Sequence, residues 1–144
     1  MKKLIFSLLL SAACSMASVQ AQTPFAKDSL SVSSFVNFQQ KVDFEDYQVK
    51  FKKVVSDSRC PKDVMCIRAG EAKVLLSIYK NGKFIKDKEV TIDASGYVME
   101  ENNLAFNTDD FKIYGMTLKP YPKTSDGIQD EDYKLEIVFQ PKQL

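Results

Sequence analysis

The sequence predicts an all-β domain: an antiparallel β-sandwich of the immunoglobulin-like or Greek-key type, with six to seven strands and one intrachain disulfide. Apolar and polar residues alternate through several short stretches, which is typical of strands with one buried face. No apolar stripe of helical period occurs after residue 21. Turn-forming residues separate the stretches, and short strands joined by turns favour a sandwich or a barrel.

The first 21 residues predict a secretory signal peptide, so that residues 22–144 form the single β-sandwich domain. Lys2 and Lys3 give a basic start, residues 4–10 form an apolar run, and residues 19–21 offer a small-x-small cleavage site. The apolar run is too short to span a bilayer, and no later segment approaches the roughly 20 apolar residues that a spanning helix needs. We therefore expect an exported protein, periplasmic or secreted, with no transmembrane segment in its mature chain.

A lipid anchor at Cys14 is the alternative for the same segment. The run Ser11-Ala12-Ala13-Cys14 resembles a lipoprotein box, although Ser11 stands where leucine is usual. Under either interpretation the protein leaves the cytoplasm, where thiols are kept reduced, for an oxidising compartment.

Three strands are predicted in the first half of the domain. Residues 30–38 are β-prone, and residues 39–46 are interpreted as a polar turn region. Residues 47–55 and 72–79 alternate more clearly, with lysines between the apolar positions of the first run. The apolar faces are predicted to be Tyr47, Val49, Phe51 and Val55 in one strand and Ala72, Val74, Leu76 and Ile78 in the other. Only Lys53 breaks the pattern.

A hairpin is predicted at Asn81-Gly82, because a type I′ turn needs positive φ at both central residues and this pair tolerates it. The returning strand then covers residues 84–92. Its middle, residues 86–89, is charged throughout, which indicates a solvent-facing or edge strand.

The C-terminal part predicts two more strands, over residues 111–118 and 133–139, after a long connection over residues 93–110. In the last strand, Lys134 and Glu136 occupy the polar face and are expected to face solvent. Seven residues are predicted to share one interior: Phe51, Val74, Leu76, Ile78, Leu135, Ile137 and Phe139.

Cys60 and Cys66 lie between two of these strands and are predicted to form the disulfide, because two thiols in an oxidising compartment usually pair. An alternative is that both thiolates bind a metal, with Asp57 and Asp63 completing the site.

The composition excludes several classes of chemistry. The chain has no histidine, which removes Ser-His-Asp and Cys-His catalysis and histidine-ligated metal sites. Its five glycines form no phosphate-binding loop. With 20 basic and 19 acidic residues, the near-neutral charge gives no reason to expect a nucleic-acid partner. A lipocalin-like ligand barrel is an alternative that no motif supports. We expect no cofactor and no enzymatic activity.

Two groups of carboxylates are candidates for sites. Asp126, Asp130 and Asp132, with Glu131, could bind Ca²⁺ in a hairpin loop, but their spacing matches no EF-hand and acidic loops are usually only solvated. The pairs at residues 100–101 and 109–110 could serve glycoside hydrolysis, yet nothing in the sequence places them in a cleft. We therefore predict no metal site and no catalytic carboxylate pair.

Basic residues are concentrated on and beside the cysteine segment. The candidate contact face consists of Lys50, Lys52, Arg59, Lys62 and Arg68, with Lys53 and Lys73 close by in sequence. The simplest interpretation is a solvated face. The sharper one is a contact surface for an anionic partner such as lipopolysaccharide, a glycan or an acidic protein. A further alternative is a protease inhibitor that presents Arg59 or Lys62 on a disulfide-braced loop.

Residues 57–74 carry a family resemblance. The run Asp57-Ser58-Arg59-Cys60-Pro61, followed by Asp63-Val64, Cys66, Ala69-Gly70-Glu71-Ala72 and Val74, resembles a D-S-R-C-P-x-D-V-x-C-x-W-A-G-x-A-x-V block in small exported bacterial proteins of uncharacterised function. Residues 114–122 resemble the penultimate strand of those proteins. The resemblance implies export, a β fold and the disulfide, and no catalytic activity. Here Arg68 stands where the family pattern has Trp.

Together these observations favour a secreted or envelope-associated binding module without catalytic activity. The expected partner is an envelope or extracellular protein or an anionic glycan.

Overall fold

The computed structural model describes residues 30–96 and 98–143, which contain eight β-strands in two antiparallel sheets. The strands are β1 (Val32–Asn37), β2 (Lys41–Phe44), β3 (Tyr47–Asp57), β4 (Glu71–Lys80), β5 (Lys83–Asp93), β6 (Leu104–Asn107), β7 (Phe111–Lys119) and β8 (Lys134–Pro141). One 3₁₀ turn, Asp130–Asp132, precedes β8. The predicted signal peptide and Cys14 lie outside the described residues.

The two sheets have the orders β1-β8-β7-β6 and β2-β3-β4-β5. Strands β2 to β5 form one meander and β6 to β8 another, and β1 joins the second sheet beside β8. The inward faces of both sheets form one hydrophobic core. All seven predicted core residues are at most 1% exposed, so the predicted all-β sandwich and its interior are confirmed. No helix in the described part of the chain is long and apolar enough to cross a bilayer.

The hairpin between β4 and β5 turns at the predicted dipeptide. Asn81 has φ of 50° and Gly82 has φ of 74°, which are the positive values that the turn requires. The Asn81 N–H donates to the Asp46 carbonyl at 2.7 Å, so this turn also lies against the β2–β3 turn.

Strands β2 and β6 were not predicted. β2 lies inside the segment interpreted as a polar turn, and β6 lies inside the long connection. Each has four residues and each is at the edge of its sheet, so neither produces more than two alternations of apolar and polar residues. Phe44 and Phe106, one from each strand, nevertheless pack against the core.

A bulge corrects one strand face. The β3–β4 register shifts between Phe51 and Lys53, which inserts one residue and exchanges the two faces of β3 until a second shift between Val54 and Ser56. Val54 therefore packs against the core, whereas Val55, predicted to be buried, is 44% exposed. The same bulge explains why Lys53 breaks the alternation.

Glu136 also departs from its predicted solvent-facing position. It lies on the outer face of β8, but it is only 8% exposed, and its Oε2 has no hydrogen-bond partner. On the same outer face, Tyr114, Met116 and Val138 form a second, smaller apolar cluster. The outer surface of this sheet is therefore more apolar than the alternation along β8 suggests.

Candidate functional site

The segment between β3 and β4 is closed by a disulfide between Cys60 and Cys66, whose Cα atoms are 5.9 Å apart. The predicted pairing is confirmed. Because both sulfur atoms are committed to this bond, the alternative in which two thiolates bind a metal is wrong. We call residues 60–68 the disulfide loop.

Arg59, which immediately precedes the loop, is buried. Its side chain is 3% exposed and forms a two-pronged ion pair with Asp57, with Nε donating to Oδ1 at 2.8 Å and Nη2 to Oδ2 at 2.6 Å. The remaining donors reach main-chain carbonyls across the molecule: Nη1 donates to Leu118 at 2.6 Å and Nη2 to Pro120 at 3.1 Å. The expectation that Arg59 belongs to an exposed contact face, or is presented to a protease, is therefore corrected.

Tyr133 completes this buried network, since its hydroxyl donates to Asp57 Oδ2 at 2.9 Å. Burial by itself raises the pKa of Asp57, but the hydrogen bonds and charge of Arg59, with the Tyr133 hydrogen bond, outweigh it and hold the pKa below its usual value. Burial, and next the hydrogen bond to the Asp57 carboxylate, raise the pKa of Tyr133 well above its usual range. Tyr133 therefore stays a neutral donor, and Asp57 stays an anion.

Main-chain hydrogen bonds attach the loop at its base and along one side. The Cys60 N–H donates to the Ala69 carbonyl at 2.8 Å and the Ser58 N–H to Glu71 at 2.8 Å, which continues the β3–β4 pairing into the loop. The N–H groups of Lys62 and Asp63 donate to the carbonyls of Pro122 and Lys123, both at 3.2 Å. The β7–β8 connection thus supports the loop from the side, and the side-chain network of Arg59 anchors the same two segments.

Gly70 permits the close approach of the two strands at the loop base. Its φ is +74°, and a Cβ at this position would lie 1.9 Å from the Ser58 carbonyl oxygen. Both the backbone conformation and the available space therefore require glycine.

The end of the loop is apolar and protrudes into solvent. Met65 and Ile67 are 101% and 104% exposed, and Val64 is 47% exposed. We call Val64, Met65 and Ile67 the apolar tip. Bulky apolar side chains that are this exposed on a braced segment indicate a contact surface. In a flexible loop, such side chains could fold back onto the protein. This loop is closed by the disulfide and attached by main-chain hydrogen bonds.

The basic residues of the predicted contact face do not form one surface. Lys50 and Lys52 lie on the outer face of the β2–β5 sheet, where Lys52 Nζ contacts Asp87 Oδ2 at 2.7 Å. Lys62 and Arg68 are exposed on the disulfide loop. Seven residues of extended strand, about 23 Å, separate Lys50 from the end of β3, beyond which the disulfide loop begins. The loop cations therefore form a group of their own, beside the apolar tip.

The carboxylate hypotheses gain no geometric support. Among the described residues, no three His, Cys, Asp or Glu side chains lie close enough to hold a metal ion, so Asp126, Asp130 and Asp132 do not form a calcium site. The residues at 100–101 and 109–110 are exposed and lie at opposite ends of β6, which does not produce the opposed pair that glycoside hydrolysis needs.

An open depression of about 200 Å³ lies between the loop base and the β7–β8 connection, with Pro61, Pro122 and Ile128 among its lining residues. Asp57 and Arg59 also border it, but their polar atoms already serve each other, Tyr133 and the main chain. Within the described chain, the apolar tip is thus the better candidate for a contact site.

Comparison with protein-family models, curated proteins and solved structures gave no match to this chain. The candidate site therefore rests on the geometry above. Sequence reasoning centred on the charges of this segment and overlooked the apolar tip. The available signal was the run Val64-Met65-Cys66-Ile67, four apolar residues inside a loop between two strands, where polar residues are usual.

Proposed function

We propose that this protein is an exported, envelope-associated binding module without catalytic activity, and that it contacts its partner through the disulfide loop. The observation that carries the proposal is the full exposure of Met65 and Ile67 on a loop that is closed by a disulfide and attached to a neighbouring connection. A contact surface that is ordered before binding loses less conformational entropy when the partner arrives.

Export is supported by the leader pattern of the first 21 residues and by the disulfide, since such bonds persist in oxidising compartments. A non-catalytic role is supported by the lack of histidine in the sequence. It is also supported by the chemistry of the buried Asp57–Arg59–Tyr133 network, in which a carboxylate with a lowered pKa is a poor proton acceptor and is fully engaged.

A protease-inhibitor role would now depend on Lys62 alone, because Arg59 is buried. The N–H groups of Lys62 and Asp63 are bonded to the β7–β8 connection. A protease that pairs with the backbone of an inhibitory loop would have to replace that connection, so this alternative is disfavoured.

The test is retention of the folded chain on washed envelope membranes and on soluble envelope extract. Met65→Ser combined with Ile67→Ser removes most of the apolar tip. Because burying a large aliphatic side chain contributes about 1.5–3 kcal/mol, retention should fall at least about ten-fold.

The matched control is Val55→Ser combined with Ile85→Ser, two exposed apolar residues on strands, at 44% and 39% exposure. This variant should be retained like the unchanged protein. Equal retention of the loop variant and the unchanged protein, or no retention of either, contradicts the proposed function. Urea melts of both variants establish that they are folded.

A further inference from the structure

We propose that the apolar tip inserts into the surface of an anionic lipid bilayer, with the cations beside it contacting lipid headgroups. This inference rests on the proposed function, because it assigns a partner class to the same loop. It commits to a lipid surface; a protein or a glycan as the partner is an outcome of the test below.

The apolar tip is a narrow projection, a shape that suits a lipid surface. Side chains that are 101% and 104% exposed contact almost nothing else in the described structure, so Met65 and Ile67 project outward and form no groove. A typical stable protein interface covers about 800 Å² on each partner around well-packed anchor residues. A narrow projection suits a deformable medium better, and the boundary between headgroups and acyl chains accepts apolar side chains to a depth of about 5–10 Å.

Exposed cations lie next to the apolar tip. Lys62 and Arg68 are exposed on either side of it in the chain. The Asp63 N–H donates to the Lys123 carbonyl, which places that exposed lysine next to the loop as well. Asp63 is the one acidic residue between positions 60 and 68. Within the loop the tip lies between two cations, and the acidic residues of the β7–β8 connection begin only at Asp126. An apolar projection with cations on both sides in the chain is complementary to a surface with anionic headgroups above an apolar interior.

The disulfide loop is anchored to the sandwich by main-chain and side-chain hydrogen bonds. Main-chain bonds from Lys62 and Asp63 fix the loop against the β7–β8 connection, and the Arg59 network fixes that connection to the end of β3. The tip therefore keeps its orientation relative to the sandwich. A few apolar side chains give reversible attachment only, so the bound protein is expected to exchange between the bilayer and solution.

The experiment uses the absence of tryptophan from the sequence. Met65→Trp introduces a single fluorophore at the tip, and Val55→Trp introduces the matched control on the exposed side of β3. Each protein is titrated with phosphatidylglycerol vesicles and with phosphatidylcholine vesicles. We expect a blue shift and an intensity increase for the tip reporter on the anionic vesicles, a weaker response on the neutral ones, and no response from the control reporter.

Charge variants made in the Met65→Trp protein test whether the cations beside the tip contribute to binding. Lys62→Gln and Arg68→Gln should each weaken binding to anionic vesicles about five-fold, the equivalent of about 1 kcal/mol for each cation near such a surface. Added salt should weaken it further. The control is Lys50→Gln. Because Lys50 lies on the outer face of the β2–β5 sheet, this variant should leave binding unchanged.

Two results would overturn the inference: a tip reporter that does not respond to anionic vesicles, or a control reporter that responds equally, as in non-specific adsorption. If the tip reporter is silent while the Ser variants of Met65 and Ile67 still lose retention on envelope fractions, the partner is a protein or a glycan. In that case the lipid inference fails and the proposed function stands.

Discussion

At the residue scale, the guanidinium of Arg59 joins three segments of the chain. It pairs with Asp57 at the end of β3, reaches the Leu118 carbonyl in β7, and reaches the Pro120 carbonyl in the connection that follows. Four of its five N–H groups are thereby used, and the Tyr133 hydroxyl donates to the same Asp57 oxygen, Oδ2, that accepts from Nη2. A buried ion pair is stable only when its remaining hydrogen-bonding capacity is satisfied, and this one is well satisfied.

Removing one partner of this network should be strongly destabilising. Arg59→Ala leaves the Asp57 carboxylate buried without its counter-charge, which typically costs about 3–5 kcal/mol. Arg68→Ala, at an exposed position nine residues further on, should change stability by less than about 0.5 kcal/mol. Urea unfolding of both variants measures the difference. Equal losses would mean that Arg59 is not the structural residue described here.

The lowered pKa of Asp57 predicts a pH dependence of stability. Because the folded state binds the Asp57 proton less readily than the unfolded chain, its contribution is complete above the ordinary value of 3.8 and is lost as pH falls through the folded pKa. The stability gap, that is, the difference in free energy of unfolding between the Asp57→Asn variant and the unchanged protein, should therefore narrow below about pH 4. Thermal melts across the acid range measure the gap. A gap that stays constant to the lowest accessible pH would contradict the ionic description of this network.

Gly70 offers a third residue-level test, with an internal control. Gly70→Ala combines a strained φ with a 1.9 Å approach to the Ser58 carbonyl, so the backbone at the loop base must move. We expect a loss of more than about 3 kcal/mol, the size of a severe core change. Gly82→Ala has the same φ of +74° but meets nothing within 4 Å, so it should lose only about 1 kcal/mol. Similar losses would show that the conformation matters and the close approach does not.

At the scale of elements, the disulfide has a local role. Closing a ring between residues six apart constrains the unfolded chain by only about 2 kcal/mol in the loop-entropy model. The Arg59 network and the main-chain bonds hold the base of the loop independently of the ring. The disulfide therefore mainly shapes the tip.

Replacing both cysteines by serine tests this division. The protein should remain folded and lose about 2 kcal/mol in urea unfolding, while retention on envelope fractions falls because the tip is no longer ordered. The control is Cys60→Ser with Cys66→Ser in the protein that already carries the Ser variants of Met65 and Ile67, where no further loss of retention is expected. Unchanged retention of the double serine variant with Met65 and Ile67 in place would contradict the role of the ring.

The elements that the sequence predicts best are those with long, regular alternation. In β4 and β8 the inward residues follow a period of two over at least three repeats, and the structure buries them all, as with Leu76 and Ile137. Alternation fails where the backbone departs from ideal pairing. Two bulges in β3, after Phe51 and after Val54, exchange its faces and then restore them, and a bulge leaves no distinctive sequence signal.

The candidate site was less predictable for a different reason. Sequence reasoning treats an arginine as a surface charge, because burial without a partner is so costly. Whether Arg59 is buried depends on Asp57, Tyr133 and two carbonyls from β7 and its exit converging in space, which the chain order does not reveal. The disulfide, in contrast, joins cysteines six residues apart and could be predicted from the expected compartment and the cysteine count alone.

At the scale of the whole molecule, the two sheets leave exposed edges that a second copy could extend. β5 is the longest edge strand among the described residues, with 11 residues, and one side of its backbone has no neighbouring strand. Opposite Ile78 and Leu76, its core-facing positions carry Lys86 and Lys88, and Lys86 Nζ lies 5.0 Å from the centre of the Phe106 ring. Inward-pointing charges on an edge strand oppose edge-to-edge pairing, because another copy would bury them.

Replacing both lysines should therefore change the association state of the protein. With Lys86→Val and Lys88→Val, the core-facing side of β5 becomes continuously apolar through Val90 and Ile92. The edge of β5 before Thr91, whose N–H donates to the Asn102 carbonyl, still has no partner strand. We expect concentration-dependent association in sedimentation velocity experiments, with little change in the core. The control is Lys50→Val with Lys73→Val, which removes the same charge at two positions that are each paired with a neighbouring strand on both sides. If the control associates as strongly, loss of charge is the cause; if neither associates, the lysines of β5 do not protect its edge.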